Sequence, residues 1–377
     1  MDKEKLTQYI DSLIPTYGMP SVDLVVYKDH KEIYRHMCGT SDAERTVPVR
    51  PDQKYIMFSM TKVMTMTALM QLVEQGKISL EDELYKFLPA YRNLKVETES
   101  GVVDCKTPIK IKHLVSMQSG LDYDLERPGI KRVLAEKGMK ATTREIVDSF
   151  AESPLKFEPG TRFLYSLSHD VVAAVIEVVS GMKFGDYLKK NVWEPLGIKN
   201  TFFAKPFNDD VPGLSRQNMF YDVKDIRPME QSCNYQLSEA YESGGAGLIS
   251  CTEDYARLAD ALACGGVGMT GARILKPETV EIIKQNLLVC PASMEDLRVN
   301  MGRIGYGYGV GMQVFMDPEV AHSPAPAGVF GWDGAAGSAI QMDTASHTSF
   351  VFTMHVRNMG IVYFDVHPHI RDLVFGL

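Results

Sequence analysis

A chain of 377 residues that is 45% hydrophobic and 23% charged can bury one large core or two, which excludes a disordered or low-complexity protein. Its formal net charge of −8, with Lys and Arg scattered, excludes an electrostatic footprint for nucleic acid or an anionic membrane. No apolar run approaches the roughly 20 residues of a membrane span, and Met1-Asp2-Lys3-Glu4-Lys5 is too charged to begin a secretory leader. With Met1 as the start, a cytoplasmic protein is expected.

In chain order, residues 23–27 and 32–36 flank Lys28-Asp29-His30-Lys31 and read as an antiparallel hairpin. Residues 60–74 lack Gly and Pro, carry apolar Val63, Met64, Leu69, Met70 and Val73, and stop at Gly76, which predicts an amphipathic helix with Ser59 at its start. Further helices are expected at 143–152, 170–180, 184–191, 252–263 and 277–285, the second ending at Gly181. Strand composition returns at 308–315, 339–343 and 348–357, with Thr344-Ala345-Ser346-His347 as a turn. The expected class is therefore α+β: an antiparallel sheet of about five strands, built from both chain ends and flanked by helices, with a mostly helical region inserted. Residues 1–80 and 240–377 would form the sheet domain and 81–239 the insert, with a site in the cleft between them. Six dispersed cysteines (Cys38, Cys105, Cys233, Cys251, Cys264, Cys290) form no C-x-x-C pair and fit reduced thiols.

Three segments carry chemistry. Ser59-Met60-Thr61-Lys62 sets a hydroxyl and an amine on one helical face. The helix dipole favours an alkoxide there, and first-turn N–H groups are free to bind an oxyanion. Burial would leave Lys62 neutral enough to take the serine proton. Read alone, the four residues fit equally a helix cap and a solvated lysine. Tyr165-Ser166-Leu167 offers a phenol that can pass protons beside Lys62, or a ring that packs in the core. Gly331-Trp332-Asp333-Gly334-Ala335-Ala336-Gly337 precedes a strand; an edge strand starting there would let the Ala335 N–H join that of Ser59 in an oxyanion hole, although the stretch also fits a plain glycine turn. His113, His169 and His355 stand in no Gly-x-Ser-x-Gly context and read as structural, His169 being the one placed to line the cleft four residues after Tyr165. Met57, Met60, Met64, Met66 and Met70 read as core, with a few available as substrate wall. Asp333 either bonds locally in its turn or repels anions.

These segments resemble the serine β-lactamase and penicillin-binding-protein superfamily, with its S-x-x-K, Tyr- or Ser-led triplet and K-T-G-type signatures in the same order. Ile111-Lys112-His113-Leu114 through Ser119-Gly120-Leu121, Pro159-Gly160-Thr161, Glu194-Pro195-Leu196-Gly197 and Ser243-Gly244-Gly245-Ala246-Gly247-Leu248 look like further landmarks, over about Leu24 to Arg357. Two departures stand out. Leu167 replaces the Asn of Tyr-x-Asn, and Trp332-Asp333-Gly334 replaces Lys-Thr-Gly, removing the cation that grips a carboxylate. Tyr-Ser-Leu followed by Asp, with Trp-x-Gly, is similar to family VIII carboxylesterases. That resemblance implies Ser59 as nucleophile, Lys62 and Tyr165 as the proton-transfer pair, and Trp332 and Gly334 framing an acyl pocket; Leu167, His169 and Asp333 are further candidate substrate contacts read from the residues themselves. It implies hydrolysis of a small-molecule ester through an acyl-enzyme, without metal or organic cofactor, and with preference for neutral, apolar groups. A β-lactamase or D-amino-acid peptidase and an acyltransferase are the alternatives on the same fold. A catalytically dead binding protein would be expected to have lost Ser59, Lys62 or Tyr165. The natural substrate and the oligomeric state are left open.

Overall fold

Alternation along the strands decides the layering. A computed structural model describes residues 1–42, 44–205, 211–229 and 235–376; Cys233 lies outside the described residues. In β1 (Ser21–Lys28), Val22, Leu24 and Val26 pack on one face while Val25 and Tyr27 pack on the other, as a strand covered on both sides requires. It turns into β2 (Lys31–Gly39) through Asp29 (φ 49°) and His30 (φ 66°), both left-handed, the geometry that suits a two-residue hairpin of right-twisted strands. The chain returns to this hairpin only near its end, in β3 (Tyr306–Tyr308), β4 (Gln313–Phe315), β5 (Phe330–Asp333), β6 (Ala339–Asp343) and β7 (Thr348–Thr353). The result is one antiparallel seven-stranded sheet ordered β3-β4-β5-β6-β7-β1-β2.

Two strands more than expected arise from local causes. The run 308–315 breaks into β3 and β4 around Gly309 and Gly311, the latter at φ 70°. Gly331 and Trp332 belong to β5 itself, an interior strand between β4 and β6, so the glycine-rich motif does not begin an edge strand as expected. Gly331 lets β5 lie close on β6, because a Cβ there would stand 1.9 Å from the Ile340 carbonyl oxygen. The last part of the run 348–357 also leaves the sheet: Val356–Arg357 pairs with Asn218–Asp222 elsewhere.

Six helices frame the sheet and the nucleophile motif: α1 (Lys3–Tyr17), α2 (Thr61–Glu74), α3 (Ser168–Ser180), α4 (Thr252–Ala263), α5 (Pro291–Met301) and α6 (His367–Phe375). α1 and α6 touch each other and cover the face carrying Leu24, Val26, Phe350 and Phe352. α4 lies across β1, β6 and β7 on the opposite face. α1 is a helix beyond those expected, although its signals are local: Asp2 caps its start, Leu6, Ile10 and Leu13 keep helical spacing, and Gly18 ends it in the left-handed region. α2 is the larger correction. Expected to be amphipathic, it is buried on all sides from Thr61 to Leu72, the condition of a helix at the centre of a large core. Its threonines find partners there: Thr65 Oγ1 donates to the Gly244 carbonyl (2.7 Å) and Thr67 Oγ1 to that of Val63 (2.8 Å). Among the described residues, no helix is long and apolar enough to cross a membrane.

Candidate active site

The nucleophile motif sits on a pinned bend. The short strand Lys54–Ile56 pairs with Leu248–Cys251, and the Met57 N–H donates to the Leu248 carbonyl (2.8 Å). The chain then makes one 3₁₀ turn, Phe58–Met60, before α2 begins at Thr61. Ser59 thus lies in that turn, just ahead of the α-helix proper. Residues three apart eclipse in a 3₁₀ turn, so the Ser59–Lys62 alignment survives the change of helix type. Phe58 is held at φ 46°, a left-handed backbone that costs a bulky residue about 1–2 kcal/mol. Its ring is locked edge-on against Tyr235 (5.8 Å) and under the Arg357 guanidinium (5.2 Å).

Lys62 is wholly buried, and its Nζ donates to Ser59 Oγ (3.2 Å) and to the Gly245 carbonyl (2.7 Å). Glycine at 245 permits that approach, since a Cβ there would stand 2.5 Å from Asp170 Oδ2 and 3.4 Å from Lys62 Nζ. Burial lowers the Lys62 pKa from 10.5 to about 7, against the opposing pull of the Asp170 and Asp333 carboxylates. The Tyr165 ring centroid lies 4.7 Å from Lys62 Nζ. Its phenol is pushed well up by burial, although hydrogen bonds to Ser59 and Trp332 oppose the rise. Tyr165 therefore keeps its proton at neutral pH, while Lys62 shares its own between bound and free forms. Tyr123 stacks on Tyr165 (5.8 Å) and Trp332 stacks on it as well (5.6 Å), with Trp332 Nε1 donating to the Tyr165 hydroxyl (3.1 Å). The serine and amine of one turn meet a phenol from a distant segment in one place.

The third segment closes the site. β5 ends at Asp333, and the turn 334–337 abuts the nucleophile bend: a Cβ on Gly334 would stand 2.4 Å from the Met57 carbonyl oxygen. Ala335 and Ser59 line the same cavity of about 240 Å³. Among the described residues, neither backbone N–H has an acceptor within the chain. Trp332, Met301 and Phe364 give this cavity its apolar walls.

Two expected pocket residues lie elsewhere. Leu167 is buried at the N-terminal boundary of α3, its N–H donating to the Asp122 carbonyl (3.1 Å). His169 is fully buried but packs beside Gly311, because α3 starts at Ser168 and Tyr165 lies before it, so the four-residue spacing is not a helical one. His113 and His355 are buried with pKa values lowered to about 4, and His355 bridges the Ser215 carbonyl and the Ile56 N–H. The five methionines around Ser59 are all buried.

The reading of Asp333 and of the missing cation also changes. Asp333 pairs with Arg303 (2.5 Å), both buried, and Arg303 lines the cavity. A cation is therefore present beside the third segment, though it comes from the loop after α5. Removing one partner of such a buried pair costs about 3–5 kcal/mol.

Asp170 stands in the family pattern after Tyr-Ser-Leu, but its place beside Lys62 is not expected from the sequence. Its Oδ1 accepts from Tyr241 (2.7 Å) and Ser243 (2.5 Å), and its charge raises the Lys62 pKa. Asp170→Asn is expected to lower the Lys62 pKa further. In a pH–rate profile the ascending limb should move to lower pH; a limb that stays in place or moves to higher pH contradicts this arrangement. Among the described residues, two clusters have metal-ligand chemistry, Asp11 with His36 and Cys38, and His30 with Asp260 and Cys264, and neither shares a residue with the cavity.

A family model described as Beta-lactamase matches residues 6–364. The chain belongs to the beta-lactamase family. It is a beta-lactamase-fold hydrolase, with an antiparallel sheet, a central S-x-x-K helix and esterase relatives. Esterase EstB of Burkholderia gladioli is 27% identical over 360 residues, covering 89% of this chain and 86% of that protein. Acyltransferase calJ of Penicillium decumbens is 28% identical over 353 residues, covering 86% and 81%. The solved structure of EstCE1, described as a hydrolase with promiscuous acyltransferase activity, superposes with a TM-score of 0.81 at 26% identity, covering 99% of this chain and 98% of that one. This chain is thus similar to proteins named as an esterase, as an acyltransferase and as a hydrolase with promiscuous acyltransferase activity.

Proposed function

We propose that this protein is a carboxylesterase-type serine hydrolase acting on small-molecule esters in the cytoplasm. The reading rests on one observation: a fully buried lysine amine, with its pKa lowered to about 7, lies 3.2 Å from a serine hydroxyl. Neutral Lys62 takes the Ser59 proton as Oγ attacks the ester carbonyl, and the oxyanion accepts from the Ser59 and Ala335 N–H groups. As the C–O bond breaks, the proton passes from Lys62, through the Tyr165 phenol, to the leaving alkoxide. Water then attacks the acyl-enzyme, giving a proton to the same pair, which returns it to Ser59 Oγ as the acyl–Oγ bond breaks and the acid leaves. Ester over lactam is supported by the apolar walls from Trp332, Met301 and Phe364. A cavity of about 240 Å³ suits short acyl chains.

Parallel assays with 4-nitrophenyl butyrate and nitrocefin test this. Rapid release from the ester with negligible lactam turnover is expected; comparable turnover of both returns the lactamase reading. The relatives named as acyltransferases favour a second reading. Adding an acceptor alcohol distinguishes it, since a transferase would form more ester than acid.

A further inference from the structure

Behind the Arg303–Asp333 pair lies a second cavity of about 260 Å³, on the face of the sheet that α6 covers. Its floor comes from three neighbouring strands in register. Gln313 of β4 and Gln341 of β6 both pair with Gly331 of β5, so two glutamines flank bare backbone. Both are buried, and the Oε1 of each has no hydrogen-bond partner among the described residues. Rotation about the last torsion exchanges that oxygen for the amide NH₂ with little change in shape.

Arg303 Nε is likewise buried without a partner, and Arg371 of α6 completes the wall. The Tyr306 hydroxyl accepts from Arg371 Nη1 (2.6 Å), which leaves its own hydrogen to donate. His367 also lines the space, neutral because burial lowers its pKa to about 4. Among the described residues, no acidic side chain lines the cavity; Asp333 and Asp372 face it only through the arginines they hold. Unsatisfied buried polar atoms of this kind are costly, and their clustering around one space marks a place for a polar guest.

Arg303, Tyr363 and Phe364 line this cavity and the one containing Ser59. We propose that the second cavity receives a carboxylate at the far end of the substrate's acyl chain, so that the preferred esters are half-esters of dicarboxylic acids. The proposal rests on the esterase reading for its substrate class, while the anion site stands on its own geometry. A carboxylate there accepts from Arg303, from a glutamine NH₂ and from the Tyr306 hydroxyl. It also reverses the preference for neutral acyl groups expected from the sequence, because the cation absent from the third motif is supplied by Arg303.

The test compares mono-4-nitrophenyl glutarate with 4-nitrophenyl hexanoate, an uncharged ester of similar length, on the intact protein. Calorimetry of free glutarate binding to Ser59→Ala runs beside it. The half-ester is expected to lead by about ten-fold or more in kcat/KM. Gln341→Leu, checked for folding by its melting temperature, should reduce that ratio by about ten-fold, acting mainly through KM, and should abolish glutarate binding. Turnover of the hexanoate with no half-ester preference and no glutarate binding overturns the proposal and leaves a water-filled cavity. Glutarate binding that Gln341→Leu removes, with neither ester turned over, keeps the anion site and overturns the esterase reading instead.

Discussion

Ser59→Ala is expected to leave a folded protein that turns over 4-nitrophenyl esters at least about 10⁴-fold more slowly than the parent. Ser59 Oγ accepts one hydrogen bond from Lys62 Nζ, and the residue is 9% exposed, so its loss leaves only a small gap. The chemistry changes more than the packing does. Without the hydroxyl there is no covalent intermediate, and the two N–H groups of Ser59 and Ala335 have no oxyanion to stabilise. A phosphonate ester should add one adduct to the parent in intact-mass measurement and none to Ser59→Ala. An adduct that persists in the variant would move the nucleophile elsewhere.

Lys62→Met should separate activity from stability. Activity is expected to fall by about 10³-fold or more, because Tyr165, holding its proton firmly, cannot replace the amine as base. In the parent, kcat/KM should rise about ten-fold per pH unit below the Lys62 pKa of about 7 and level off above it. That limb should vanish in the variant. Stability should move the other way. In the unfolded chain the amine titrates near 10.5, in the folded one near 7, so burial of the ammonium penalises folding fully below pH 7. The penalty shrinks between pH 7 and 10.5, where the unfolded state binds the extra proton, and is gone above that window. At neutral pH it is of the order of 4 kcal/mol. Lys62→Met should therefore melt higher than the parent at pH 6, with the gap closing as pH rises. A variant that melts lower at every pH would show that the bonds to Ser59 and Gly245 outweigh desolvation.

What the sequence made legible was what is local. Ser59 and Lys62 are three residues apart, so any helical turn aligns them, and the shift from α to 3₁₀ geometry does not spoil the inference. Thr252–Ala263 is legible to the residue because its apolar spacing and its ends are written in adjacent positions. Arg303 could not be found this way. It follows Gly302, which ends α5 in the left-handed region, and meets Asp333 thirty residues later only because β5 lies in the sheet's interior. Asp170 follows the tyrosine triplet as part of a family pattern, yet its partners Tyr241 and Ser243 come from another segment altogether. His169 misleads for a definite reason: a helical count from Tyr165 begins three residues before the helix does. The seven strands exceed the expected number because glycine breaks one apolar run and extends another, and apolar periodicity does not register either event.

The pairing of β1 with β7 joins the first thirty residues to the last thirty. During synthesis the N-terminal hairpin emerges with Val25 and Tyr27 uncovered and one backbone edge unpaired, and it must wait for more than three hundred further residues before β7 exists. The turn at 334–337 is tethered in the same late step, since Tyr363 donates to the Gly334 carbonyl (2.9 Å). A ribosome-bound fragment that stops short of β7 and Tyr363 therefore carries the S-x-x-K segment without the sheet partner and the tether that complete the site.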